Sequence, residues 1–341
     1  MLMSPAKSLF LITLVMGTLI SISSTSWFGV WMGLEINLLS FIPLMTNYKN
    51  IMSTEASLKY FLIQTFASAI LLFSIILLYI FTQMHQKSFF TLDLIISSAL
   101  LLKMGAAPFH FWFPGTMEGL NWFNCFTLMT WQKIAPLMLL SYLIQLNLFT
   151  IVVILSSILI GSIGGLNQTS LRKLMAYSSI NHLGWMIGGM LTGENVWEMY
   201  FMVYSFLSFS IIYIFNSFQI FHINQNFLTM NNNHTVKFCL FILLLSLGGL
   251  PPFLGFLPKW IIIQTMAEMN LLFLITFMAV TTLITLFYYL RLTFTAFLLS
   301  HSELKWNLSD SVNLIKLTTL LTLTSISTLG LTLSSVTFSI I

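Results

Sequence analysis

Five titratable side chains stand inside long apolar stretches of this sequence: Glu35, Lys103, Lys133, His182 and Lys259. A charge at the centre of a membrane helix costs roughly 2.5–3.5 kcal/mol on insertion scales, so each is a functional candidate by default. Glu35 has apolar neighbours for a turn on both sides, in Trp31-Met-Gly-Leu-Glu-Ile-Asn-Leu-Leu-Ser40. It needs a basic partner or a hydrated cavity, and a structural ion pair competes with a proton site. Lys103 comes two residues before Gly105, and Lys133 lies mid-stretch three residues before Pro136. A lysine in such a place can load and release a proton as a carboxylate approaches or leaves, and Glu35 is the obvious partner. Lys259 follows Pro258, where a terminal proton gate and an interfacial anchor beside Trp260 are both open readings. His182, in Ser178-Ser-Ile-Asn-His-Leu-Gly184, suits a relay because imidazole titrates near neutral pH. A neutral packing histidine is an equal alternative.

The composition says what surrounds these groups. Of 341 residues, 57% are hydrophobic and 6% charged, and the mean hydropathy is +0.94. Soluble domains carry about 25% charge. A chain this poor in charge must be solvated by lipid. The net charge of +4 bears on orientation and not on nucleic acid. Cys125 and Cys239 read as buried free thiols. No nucleotide-binding loop, zinc spacing or haem attachment motif is present, so no cofactor or metal is expected in this chain.

A spanning helix needs roughly 20 apolar residues. The apolar runs are continuous rather than alternating, which means helices and not a barrel. Eleven spans are expected, at 5–22, 26–46, 54–82, 90–107, 119–145, 147–168, 171–190, 195–222, 235–267, 271–298 and 313–339. The first is read as a retained span rather than a cleaved leader. The loops after spans 2, 6, 8 and 10 carry Lys49, Arg172 with Lys173, Lys237 and Lys305, whereas the odd loops carry little beyond Lys87. The positive-inside rule puts the N-terminus and those even loops on the inner side.

Two segments repeat. Gly105-Ala-Ala-Pro-Phe-His-Phe-Trp-Phe-Pro114 and Gly249-Leu-Pro-Pro-Phe-Leu-Gly-Phe-Leu-Pro258 share the pattern G-x-x-P-F-x-x-x-x-P. Proline removes a backbone donor and clashes with the preceding turn, so each copy predicts a broken span. Backbone can break at membrane depth where it lines a cavity or ion path. The copies sit in spans 4 and 9, an odd number of spans apart, so they enter the membrane from opposite sides. That marks an inverted-topology repeat. The expected division is 1–146 (spans 1–5), 147–298 (spans 6–10) and 299–341 (a loop and span 11).

The remaining charges read more plainly. Glu55 and Lys59 suit an i, i+4 pair at a helix start. Glu118, Glu194 and Glu198 look like loop or cap charges, and Arg291 is long enough to snorkel. His110 lies inside the first break; His85, His222, His234 and His301 read as surface.

The blocks around Glu35, Lys103 and Lys133, together with Leu166–Trp185 and Gly248–Trp260, closely resemble the subunit 2 family of NADH dehydrogenase in its insect or other invertebrate form. These are mitochondrially encoded, antiporter-like subunits of the membrane arm of respiratory complex I, similar to Mrp-type cation/proton antiporters. The blocks reach from span 2 to span 9; the last forty residues carry little of the likeness. The resemblance implies an all-α polytopic bundle with two inverted five-helix repeats, each with one broken helix, shortened at the N-terminus relative to fourteen-helix bacterial forms. It implies a multi-pass protein of the inner mitochondrial membrane whose partners are other complex I subunits, above all neighbouring antiporter-like ones, and lipids. It implies proton translocation driven by electron transfer from NADH to ubiquinone, with FMN, iron–sulfur, NADH and ubiquinone sites in other subunits. Carried over residue by residue, the family's glutamate matches Glu35, its broken-helix lysines match Lys103 and Lys259, and its central lysine matches Lys133. The expected order is carboxylate, loading site, relay and exit. A stand-alone cation/proton antiporter is the rival function, and a purely structural spacer ranks behind it.

Overall fold

A computed structural model of the chain describes residues 5–47, 50–83, 89–223, 225, 234–298 and 314–340. Among them every regular element is a helix, with one isolated bridge between Ser170 and His222. The chain divides into two compact units, Met1–Val153 and Ile154–Ile341. The first holds α1 (Pro5–Ser23), α2 (Trp27–Met45), α3 (Ile51–Gln83), α4 (Phe89–Met104), α5 (Trp112–Gly119), α6 (Trp122–Met129) and α7 (Trp131–Ser141). Helix α8 (Leu148–Gly164) carries the chain over the boundary. The second holds α9 (Leu171–Thr192), α10 (Glu194–Phe218), α11 (His234–Gly248), α12 (Phe256–Glu268), α13 (Leu272–Leu298) and α14 (Leu314–Ile340).

Among the described residues, six helices are long and apolar enough to cross a membrane: α1, α2, α3, α10, and the stretches Leu272–Phe294 of α13 and Ile315–Thr332 of α14. The other expected spans fall short of that length or apolarity for visible reasons. Span 4 is cut short at Met104, span 9 is split into two helices, and α9 carries Arg172, Lys173, Asn181 and His182.

Side-chain distribution along α3 shows how such a helix is solvated. Leu58, Leu62, Phe66 and Phe73 form a stripe at helical spacing, each about 60% exposed. Tyr60, Gln64, Ala67, Ser68 and Leu71 occupy the opposite face and are buried. Apolar side chains thus face outward and the polar ones inward, as lipid requires. Helices α1 and α2 pack through small residues. A Cβ on Gly33 would stand 2.5 Å from the Ser21 nitrogen, and one on Gly17 would stand 2.9 Å from that of Asn37. This contact carries Glu35, two residues beyond Gly33, on a helix held firmly against its neighbour.

Two expectations need correction. Span 5 is not one helix: it breaks at Thr130, whose hydroxyl donates to the Phe126 carbonyl at 2.8 Å. The break precedes Lys133, and Pro136 sits inside α7 without ending it. Lys237 is not a loop charge either. It lies in the first turn of α11 and is buried, 4% exposed. Lys49, Lys87, Lys305, His85 and His301 lie outside the described residues, as does the His234 side chain.

Candidate functional site

The first repeat segment breaks its helix. α4 ends at Met104, Gly105 takes φ 73, and helix resumes at Trp112. A left-handed residue at a helix end is most often glycine, because a side chain there strains the backbone by roughly 1–2 kcal/mol. A helix end leaves carbonyls without amide partners. Here the Trp112 indole donates to the Leu102 carbonyl and the Gln64 amide donates to the Lys103 carbonyl, both at 3.1 Å. The break is therefore closed by side chains of α5 and α3.

Lys103 occupies the last turn of α4 and is 7% exposed. Glu35 is near enough to attract its ammonium. One carboxylate oxygen of Glu35, Oε2, is buried and accepts no hydrogen bond among the described residues. A buried charged oxygen without a donor is costly, so it responds strongly to any movement of a nearby cation. The two groups that sequence reasoning paired are thus in one field.

A small cavity of about 20 Å³ opens at Lys103, lined also by Asn37, Tyr60, Gln64 and Gln132. That volume fits about one water, and the lining offers the polar partners a water needs. The Gln132 amide donates to Asn37 Oδ1 at 2.9 Å, and the Tyr60 hydroxyl lies 3.5 Å from Gln132 Oε1. Lys133 follows Gln132 on α7, is 1% exposed, and holds its Nζ 4.8 Å from the centre of the Phe113 ring. An ammonium over an aromatic face gains up to about 2 kcal/mol when desolvated.

Sequence reasoning did not single out Asn37, Tyr60, Gln64 or Gln132 as site residues. A signal existed for two of them. Tyr60 and Gln64 are four apart, hence on one face of α3, and Gln64 is an amide in an otherwise apolar run.

The second repeat segment does the same in the second unit. α11 ends at Gly248, Gly249 takes φ 84, and α12 begins at Phe256. Here the lysine closes the break itself: Lys259 Nζ donates to the Gly248 carbonyl at 2.7 Å. A cation at a helix C-terminus also meets the negative end of the helix dipole. Lys259 is 7% exposed and its neighbour Trp260 is 57% exposed. The tryptophan faces outward and the lysine inward. Helix α14 completes this break, because the Leu254 amide donates to the Ser327 carbonyl at 3.0 Å. Gly330 leaves room for the Leu254 side chain.

His182 lies on α9, and its Nδ1 is 2.8 Å from the Tyr200 hydroxyl of α10. His110 is buried in the first break, 3.3 Å from the Pro108 carbonyl, and does not line the cavity. Glu55, Lys59 and His222 are exposed. Arg291 is exposed and donates to the Leu166 carbonyl at 2.7 Å, so it ties α13 to the end of α8. Cys125 and Cys239 are buried thiols outside any disulfide.

The profile of the family described as NADH:quinone oxidoreductase/Mrp antiporter, TM, matches residues 24–285. The chain belongs to that family. The match spans both breaks and all five titratable residues named at the outset. Among its relatives, NADH-ubiquinone oxidoreductase chain 2 of Aedes aegypti is 56% identical over 338 residues, covering 98% of this chain and 99% of that one. The Anopheles gambiae chain of the same name is also 56% identical, over 311 residues, covering 90% of this chain and 91% of that one. A chain of Thermus thermophilus respiratory complex I shares the fold, with a TM-score of 0.83 at 22% identity over 95% of this chain and 78% of its own. A chain of the Mrp complex from a Dietzia species does so with a TM-score of 0.75 at 16% identity, over 88% and 62%.

Gly249 offers a direct test of how a break in this family holds its lysine. A Cβ there would stand 2.7 Å from Lys259 Nζ, on a backbone that disfavours side chains. Gly249→Ala is expected to destabilise the second unit by about 1–2 kcal/mol and to push Lys259 off the Gly248 carbonyl. Thermal unfolding of the purified complex checks the first effect, and proton movement per NADH checks the second. A variant as stable and as active as wild type would mean that Lys259 has another seat.

Proposed function

We propose that this chain is a proton-translocating subunit in the membrane arm of NADH:ubiquinone oxidoreductase, in the inner mitochondrial membrane. The rest of the complex supplies the driving force by passing electrons from NADH to ubiquinone, and its other subunits hold NADH, FMN, iron–sulfur clusters and ubiquinone. The relatives' shared name, NADH-ubiquinone oxidoreductase chain 2, supports that membership at near full length.

The observation that carries the translocation reading is Lys103 buried at the end of a broken helix, lining a polar cavity and within the electrostatic reach of Glu35. When Glu35 and Lys103 are close, the ammonium is held charged. When a coupled movement separates them, Lys103 sits buried without its counter-ion, and the proton leaves. A water in the cavity, held by Gln132 and Asn37, offers the way toward Lys133, where the Phe113 ring supports the cation. In the second unit Lys259 is the proposed exit site and His182 a relay. We read 1–146 and 147–298 as the two inverted repeats and 299–341 as a tail whose helix braces the second break.

Native electrophoresis of mildly solubilised membranes, with an in-gel NADH oxidation stain and an antibody to this chain, tests the assignment. The chain is expected in the large band that oxidises NADH. A small species running alone would favour a stand-alone cation/proton antiporter instead, and ion flux in vesicles would then be the assay.

A further inference from the structure

The titratable residues legible in the sequence leave His182 and Lys259 as isolated stations of the second unit. The structure fills the space around His182 with hydroxyls. Tyr200 and Tyr204 lie four apart on α10, hence on one face, and Tyr288 and Tyr289 project from α13. All four are buried, none more than 3% exposed. Ser178 and Ser179, one turn before His182 on α9, complete the cluster and are buried too.

The contacts are specific. The Tyr200 hydroxyl is 2.8 Å from His182 Nδ1, and the Tyr204 ring lies tilted against the imidazole with centroids 5.0 Å apart. Tyr204 lies beside Ser179, and Tyr289 beside Ser178 and Tyr288. The Tyr200 hydroxyl is in the electrostatic reach of both Tyr204 and Tyr289. Tyr288 and Tyr289 pack edge to face with centroids 4.6 Å apart. At its far end the cluster meets the second break: a Cβ on Gly248 would stand 3.4 Å from the Tyr289 ring. The carbonyl of that same Gly248 holds Lys259 Nζ.

Burying a phenol is worthwhile for packing only if its hydroxyl is satisfied or the ring is replaceable by phenylalanine. Phenylalanine is available in quantity here, with 32 residues. Two buried tyrosines against one buried histidine, with two more from a second helix beyond them, are hard to explain as packing alone. The Tyr200 hydroxyl, 2.8 Å from the imidazole nitrogen, is placed to pass a proton, and single waters can bridge buried hydroxyls that lie farther apart.

We infer that Tyr200, Tyr204 and Tyr289, with Ser178 and Ser179, form a hydroxyl relay joining His182 to the Lys259 break. This rests on the translocation reading above and extends it by naming the groups between its stations. Each hydroxyl accepts a proton on an oxygen lone pair and releases its own on the other side. It returns neutral, so no charge is stored on a phenol and no bond other than O–H or N–H changes. Each hydroxyl then turns about its C–O bond to point its O–H back before the next transfer.

The test is Tyr200→Phe, Tyr204→Phe and Tyr289→Phe in the whole complex reconstituted in vesicles, with Lys259→Met alongside. Each tyrosine variant removes one oxygen and keeps the ring, and rates are normalised to assembled complex. Proton transfer through this subunit is expected to slow about tenfold, short of the larger loss typical of a positioned acid or base, since water can partly substitute. Protons moved per NADH should fall toward the Lys259→Met value, and the solvent deuterium effect on the remaining flux should rise. A merely structural role would lower the amount of complex but leave the isotope effect alone. If all three tyrosine variants pump as wild type while Lys259→Met does not, the relay is overturned and the translocation reading stands. If Lys259→Met also pumps normally, both fall.

Discussion

Lys103→Met is expected to slow proton transfer through this subunit by about a hundredfold, the lower range for losing a positioned proton-transfer group, while the complex still assembles. The reason lies in what the lysine costs. A cation inside a membrane helix is unfavourable by roughly 2.5–3.5 kcal/mol, and methionine of similar length removes that penalty while filling the same space. The packing of α4 against α3 and the break itself do not need the ammonium, because the caps on Leu102 and Lys103 are made to backbone carbonyls. What disappears is the charge that answers Glu35. Protons moved per NADH oxidised, in vesicles holding equal amounts of complex, measure the effect. Glu35→Gln should act in the same direction, since it removes the other half of the pair. Unchanged proton yield in both variants would return this region to a structural role and revive the spacer reading.

Gly255→Val is the change expected to damage the fold most. Gly255 lies at the end of the second break, one residue before α12. A Cβ at this position would collide with the Ser246 carbonyl oxygen, which belongs to the helix before the break. Its backbone angles are ordinary, φ −65 and ψ −15, so strain in the dihedrals is not the issue. The two halves simply approach too closely for any side chain. Backbone cannot move aside as a flexible side chain can, so the cost should reach or exceed the roughly 3 kcal/mol upper range of overpacking. The expected outcome is loss of this chain from the assembled complex, read by native electrophoresis, with Gly255→Ala milder than valine. Normal assembly of the valine variant would mean that the halves of the break are free to separate.

These two residues mark how far the sequence alone reaches. Glu35, Lys103, Lys133, His182 and Lys259 stand out because charge or imidazole in an apolar run is rare, and rarity is visible without coordinates. Both breaks were legible because glycine and proline act on the local backbone: the positive φ at Gly105 and Gly249 is where the repeated pattern puts it. Membership of the family followed from the same blocks. Local interruptions were less secure. The break in span 5 falls at Thr130, which no glycine or proline marks, while Pro136 rides within α7, as a proline can when its neighbours accommodate the missing bond.

Tertiary structure decided the rest, for one physical reason. In a membrane protein the outer and inner faces of a helix are both mostly apolar, so periodicity does not say which face is which. Leu62 and Gln64 differ by two positions, yet one is exposed on the outer face and the other holds the Lys103 carbonyl. Asn37, Tyr60 and Gln132 come together from three helices, and the tyrosines around His182 from two more. Amides and phenols can be seen one by one in the sequence, but nothing in it says which of them meet. Their role arises only when packing brings their hydroxyls and amides to one place. The sequence alone determined the lipid solvent, the two breaks and the charged stations. Packing decided what stands beside each of those charges.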